Sequence, residues 1–457
     1  FSASLPAIAL ATAGGGSAFG GQSCAVLTNC RYTIPFRGIG CVETVRLPAV
    51  LSAAARLQAG ENGKVALFGR RPDQERHVHM NARERYLSTL LFGHPDKIPL
   101  QPGGGRQSTL AAWHQQGLPV QITDGAAILD YACEQAGVSF RSQHTGPGFC
   151  VEQRMMPQFE EKVIEVRERS QVVQDWKGNI CEIGKEFTVE YLRNAIDFVT
   201  RRWIKCPVET RADWEDMQRR YNPEDPTRLP NNPEALGKQL PNRDYIINFG
   251  FSGPFWQLRE WLGFENLCMM LHDDPEFIKE MIGFWEDFIA QLLKKALAYV
   301  VPDSVNISED MAYKSFSMIS PQMVREFLLP TWKHWGEIIH GAGCPLYDMD
   351  SDGFIGELIP IWIEAGINVC NPMEVAAGND LAEFRRRFGH AMAYHGGVDK
   401  RAMAKGGAVI AAEIKRLEPV IRDGGYIPSC DHGVPADVSW PNFVHYIKLL
   451  AGVTGWA

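Results

Sequence analysis

A chain of 457 residues, 45% hydrophobic and 22% charged, has the balance of a soluble globular enzyme, with room for one large domain or two ordinary ones. Its net charge of −8 argues against nucleic acid or an anionic membrane surface as the main partner, since both select for basic patches. No apolar run is long enough to span a membrane, and the 11 cysteines are scattered with no Cys-x-x-Cys pair, the usage of a cytoplasmic protein with reduced thiols.

Residues 1–79 stand apart from the rest. They open on Phe1, and Ser2–Gly21 is rich in Ala, Gly and Ser around a short apolar core, Leu5–Ala13. Ala11-Thr12-Ala13 has the small-x-small form of a cleavage site, but no basic segment precedes it. No helix or strand period runs through Gln22–His79. The expectation is a leader that is disordered or extraneous to the native protein, with Met80 as the native start. A functional extension is the alternative.

From Met80 the pattern sharpens. Asn81 caps an amphipathic helix whose apolar side carries Tyr86, Leu87, Leu90 and Leu91. Asp96–Leu100 reads as a short strand ending in Gly103-Gly104-Gly105-Arg106, before a helix over Thr109–Gln116. The triple glycine lets backbone approach a ligand, yet it has neither the P-loop Lys nor the dinucleotide spacing. Arg106 is either a carboxylate binder or a solvated arginine beside a turn. Glu160–Phe187, with a turn signal at Asp175–Gly178, reads as a decorating β-hairpin. Trp203–Leu229, rich in Trp, Pro and Arg, reads as a surface excursion around Trp214. Tyr245–Phe251 is a buried-type strand. Asp274-Pro275 opens a helix over Glu276–Val300 with Phe277, Phe284, Trp285 and Phe288 at core spacing.

The last third, Val305–Pro435, organises the chain. Five apolar runs each end in reactive side chains: Ser308-Glu309-Asp310, Asp348-Met349-Asp350-Ser351-Asp352-Gly353, Cys370-Asn371-Pro372-Met373-Glu374, His395-Gly396-Gly397-Val398-Asp399 and Ser429-Cys430-Asp431-His432-Gly433. Helix-like segments separate them, among them Gly356–Ala365, Leu381–Phe388 and Ala411–Ile421. Strand, polar tip and helix in repetition is the grammar of parallel βα units. The expectation over residues 80–457 is an α/β fold, a (β/α)8 TIM barrel with its chemistry at the C-terminal rim.

Each tip residue has a bland reading beside the functional one. Cys430 is a rim thiolate or a small core residue. His432 and His395 are proton donors, metal ligands or satisfied structural groups. Asp348, Asp350 and Asp352 alternate along a strand, so their side chains share a face. Like charges that close bind a cation, bind a basic group or keep a proton, unless Asp352 merely caps the next helix. With Glu374 and Cys430, these acids make a reasonable zinc set.

The same residues carry a resemblance. Glu309–Lys314, Asp352-Gly353, Gly396-Gly397-Val398-Asp399-Lys400 and Gly425–Pro435 resemble the uroporphyrinogen decarboxylase superfamily. That superfamily joins the decarboxylases of porphyrin synthesis to zinc-dependent, corrinoid-linked methyltransferases. A true decarboxylase carries an arginine-rich loop after its first strand, where this chain has one arginine, Arg106. The methyltransferases bind zinc through a His-x-Cys pair and a late Cys. Cys430 matches the late Cys, while Asp350-x-Asp352 stands where His-x-Cys would be.

The resemblance therefore implies a methyltransferase moving a methyl group from a small O- or N-methyl substrate to a cobamide on a partner corrinoid protein. Zinc would sit on Asp350, Asp352, Glu374 and Cys430, a set poorer in thiolate and so more strongly Lewis acidic. Asp310, His395 and His432 would serve catalysis, and Arg106, Lys314 and Asp348 would hold substrate. The alternative is decarboxylation without a cofactor.

Overall fold

The computed structural model describes residues 79–142, 146–194, 199 and 201–457; the expected leader, His79 apart, lies outside them. The expected first helix forms as α1 (Ala82–Leu90). A capping box closes its start: Asn81 Oδ1 accepts the Glu84 N–H at 2.9 Å and Glu84 Oε2 accepts the Asn81 N–H at 2.9 Å.

The decorating hairpin is larger than expected. Strands β1 (Lys162–Val166), β2 (Ser170–Gln174), β3 (Ile180–Gly184) and β4 (Arg202–Lys205) make a four-stranded antiparallel sheet in that order. Asp175 Oδ1 accepts the N–H groups of Lys177 and Asn179, which makes the expected turn between β2 and β3. The long first run breaks into two strands at Arg167, whose N–H bonds the Ser170 carbonyl at 2.9 Å.

Much of the stretch Trp203–Leu229 is exposed, as expected of a surface excursion, but its aromatic anchors belong to the core. Trp214 is 1% exposed and Tyr221 and Arg228 are also buried. Ring centroids lie 5.0 Å apart for Trp214–Trp261 and 5.4 Å apart for Tyr221–Trp285. Arg228 tolerates burial because its donors reach the Asn222 and Glu152 carbonyls at 3.0 and 3.2 Å and its guanidinium lies over Phe288. Composition hides this, since aromatic and arginine side chains serve core and surface alike.

Six strands then build one parallel sheet in chain order: β5 (Asn248–Ser252), β6 (Ser304–Ser308), β7 (Leu346–Asp350), β8 (Val369–Asn371), β9 (Ala393–Val398) and β10 (Tyr426–Cys430). Helices follow at Pro275–Leu297, Ile359–Glu364, Leu381–Phe388 and Gly407–Asp423, each within a few residues of expectation. The parallel α/β architecture is as read. The strand expected at Asp96–Leu100 does not form. That stretch is followed by a segment lying beside β10, where the Cys430 N–H bonds the Pro102 carbonyl at 3.1 Å and Gly105 bridges Val434 in parallel. Pro99 and Pro102 lack the N–H groups a ladder requires.

Register sorts the side chains of the sheet. Asn306 stands beside Asp348, Ser308 beside Asp350, Asp350 beside Asn371, His395 beside Ile427 and Val398 beside Cys430. On one face Leu346, Val369, Ala393 and Ile427 gather around Leu90 of α1, which seals the N-terminal end. Alternation puts Asp348, Asn371, His395 and Ser429 on that same face, two residues nearer the C-terminal tips. The opposite face carries Ile307, Met349, Cys370, Tyr394 and Tyr426 into the main core. Among the described residues no helix is long and apolar enough to cross a membrane.

Candidate active site at the strand tips

The tips of β6, β7 and β10 bring three of the expected residues together. After β6 the chain turns sharply at Asp310, whose φ is +42°, and Asp310 Oδ1 accepts the Asp352 N–H at 3.1 Å. After β7 the turn is made by Gly353 at φ +82°. A Cβ there would stand 2.3 Å from the Ala312 carbonyl oxygen, so only glycine lets this tip tuck beneath the preceding one. Asp352 is thus delivered, 5% exposed, against His432 after β10, 4% exposed.

His432 is held from both sides. Lys400 Nζ lies 2.9 Å from its Nδ1, and its Nε2 lies 3.0 Å from Asp352 Oδ1. The second approach is close but not aligned as a hydrogen bond, so His432 Nε2 and both Asp352 oxygens remain without hydrogen-bond partners among the described residues. Asp350 Oδ1 is also unpartnered, while its Oδ2 accepts from Ser308 Oγ at 3.1 Å. Glu374 accepts the Gly353 N–H at 3.1 Å and stands 3.5 Å from Lys400. Arg106 is near enough to weigh electrostatically on Asp352 and His432.

Burial and mutual repulsion set the charges. Asp310 is pushed up to about 7, first by burial and then by Asp352. Asp350 is raised well above the usual carboxylate range by burial, then by Asp310 and Asp352. Asp352 is likewise raised, by burial and then Glu374. These acids hold protons that exposed carboxylates would have released. His432 is pushed down by burial and by the Lys400 ammonium, so it stays neutral.

Other expected residues stand elsewhere. Asp348 lies deeper on the inner face, its oxygens held by Asn306 and Asn371 at 3.0–3.2 Å, and burial raises it to about 6. His395 is on the same face of β9, where burial lowers it to about 4 and keeps it neutral. Lys314 is exposed in the turn bridged by Ala312 and Ser317, with no ion pair among the described residues. Cys430 shares its face of β10 with Tyr426 rather than with Ile427, and its buried thiol joins the main core, where burial raises it far above its usual range. Among the described residues no three His, Cys, Asp or Glu side chains converge as a metal site requires. As arranged, Asp350, Asp352, Glu374 and Cys430 do not fit a zinc ion.

The roles of two residues of the site are not read from the sequence. Lys400 was visible only as the end of the Gly396–Lys400 match. Asp431, fully buried, braces three tips by accepting the Lys400 N–H at 3.1 Å and the Val375 N–H at 3.0 Å.

A family model for uroporphyrinogen decarboxylase (URO-D) matches residues 187–451, more than half of the chain. The chain belongs to the uroporphyrinogen decarboxylase family. Every strand-tip residue of the site falls inside that match, and Arg106 lies outside it. Among solved structures, a methyltransferase from Methanosarcina mazei is similar at a TM-score of 0.50 and 11% identity, covering 82% of this chain and 98% of its own. A B12-independent methionine synthase from Shewanella sp. W3-18-1, in complex with selenomethionine, gives 0.35 at 12% identity over 79% and 97%. The first likeness speaks to the fold alone and the second is too loose to argue from. No curated protein matches the chain.

Proposed function

We propose that this URO-D family member is a methyltransferase: it takes a methyl group from a small O- or N-methyl substrate and passes it to a corrinoid carried by a partner protein. In this reading the six parallel strands belong to an eight-stranded barrel and the substrate lies at its C-terminal rim. One observation carries the proposal. The rim is crowded with acids, Asp310, Asp350, Asp352 and Glu374, against few cations, chiefly Lys400 and Arg106.

Such a site has too few cations to hold a porphyrinogen, which brings eight acidic groups. It suits a small substrate bearing a methyl ether or a methylamine, whose leaving oxygen or nitrogen needs a proton. The corrinoid, when its carrier docks, supplies the nucleophile that takes the methyl carbon. The chain's own part is acid catalysis. As the methyl–oxygen or methyl–nitrogen bond breaks and its electron pair stays on the leaving atom, Asp352 gives that atom its proton and becomes the carboxylate. Burial and the nearby Glu374 keep the proton on Asp352 until then, because ionising it there is unfavourable. Arg106 orients an anionic group of the substrate.

The test is a panel of O-methyl and N-methyl donors offered with free cob(I)alamin, followed by the loss of Co(I) absorbance. Turnover with at least one donor, and none with uroporphyrinogen, is expected. Decarboxylation of a porphyrinogen, with no methyl donor accepted, would overturn the proposal.

A further inference from the structure

The Lys400–His432–Asp352 line adds a residue to the site. An ammonium group only donates hydrogen bonds, so at 2.9 Å from Lys400 Nζ the Nδ1 of His432 must be the acceptor. A neutral imidazole accepting at Nδ1 carries its hydrogen on Nε2, and Nε2 is the atom that faces Asp352 Oδ1 at 3.0 Å. Glu374 Oε1, 3.5 Å from Nζ, holds Lys400 from the other side. Lys400 itself follows β9, and its backbone N–H is fixed by Asp431 Oδ1 at 3.1 Å.

We infer that Lys400 is a positioning residue that locks His432 in its Nε2–H tautomer, and that the locked ring aims Asp352 at the substrate. With the protonated Nε2 3.0 Å from Oδ1, though off the line of a hydrogen bond, a second hydrogen on Oδ1 is disfavoured, and the proton of Asp352 resides on Oδ2, the oxygen left to meet the leaving atom. Were His432 to carry its hydrogen on Nδ1 instead, Nε2 would be a lone-pair acceptor beside Asp352 and would draw that proton away from the substrate. The inference deepens the acid-catalysis reading and rests on it for its consequence, but the tautomer itself does not depend on which reaction follows.

The test is nitrogen-15 NMR of histidine-labelled full-length chain, with the His432 signals assigned by their loss in His432→Gln. The wild type is expected to show a protonated Nε2 and an unprotonated Nδ1. In Lys400→Met the Nδ1–H form gains population, and kcat for methyl transfer falls roughly tenfold or more with KM little changed. His432→Gln, whose amide N–H stands near the Nε2 position, retains more activity than His432→Ala. An Nδ1–H His432 in the wild type, or a tautomer unchanged in a folded Lys400→Met variant, overturns the inference. If the tautomer moves as expected but no methyl donor turns over in any variant, the lock stands and the methyl-transfer reading falls.

Discussion

Asp352 shows how a carboxyl group becomes an acid at neutral pH. Both its oxygens are without hydrogen-bond partners among the described residues, it is almost wholly buried, and Glu374 stands nearby to discourage its charge. Asparagine keeps the shape and removes the proton. Asp352→Asn is therefore expected to lower kcat about 10²–10⁴-fold, the usual span for a general acid, with the thermal midpoint unchanged or raised. The neighbouring Asp310, pushed up to about 7, shapes the pH profile. Below that value the rim keeps its protons and the acid is available. Above it Asp310 ionises, and its charge makes the neighbouring acids hold their protons harder, so kcat is expected to persist through about 7 and to fall only on the alkaline side of that value. A rate that climbs over that range in a steady-state profile contradicts the role.

At the scale of elements, the tips are held by turns that the chain chose carefully. Gly353→Ala forces a Cβ against the Ala312 carbonyl and leaves alanine at φ +82°, so a loss of stability of about 1–3 kcal/mol in urea unfolding is expected, with activity lost as Asp352 shifts. Cys430→Ser, by contrast, alters the core-facing side of β10, and methyl transfer is expected to persist at near the wild-type rate. Activity abolished in folded Cys430→Ser protein would restore the thiol to the site.

These cases also show what a sequence discloses. The tips Asp310, Asp350–Gly353 and Asp431–Gly433 were legible because charged residues interrupt apolar runs at βα spacing. The face of Cys430 was not legible, since Tyr426-Ile427-Pro428-Ser429-Cys430 is buried throughout and only the packing of Ile427 against α1 fixes its parity. Lys400 was hidden for another reason. Its meaning lies in a distance to His432, 32 positions on, which spacing does not give.

The whole molecule is tied at the end of the sheet opposite the site. Asp303, nearly fully buried, accepts from Arg83 of α1 at 2.7 Å, from Arg243 Nη2 at 2.9 Å and from the Ile247 N–H at 2.9 Å. Removing the acid strands two arginines, so Asp303→Ala is expected to cost about 3–5 kcal/mol, read as a lowered urea midpoint. Stability should also fall on the alkaline side. Glu309 is raised by burial to about 8 and Asp310 to about 7, so their protons are bound more tightly folded than unfolded. Their contribution is full below the unfolded values near 4 and is lost as pH rises through 7 to 8.

The central claim is a proton stored on a buried carboxyl at neutral pH. Infrared difference spectroscopy of the wild type against Asp352→Asn at about pH 7 reads it without any substrate. The account predicts a carbonyl band of a neutral carboxyl group present in the wild type and absent from the variant. A difference spectrum holding only carboxylate bands means that Asp352 is ionised, and the acid-catalysed transfer described for this rim is then wrong.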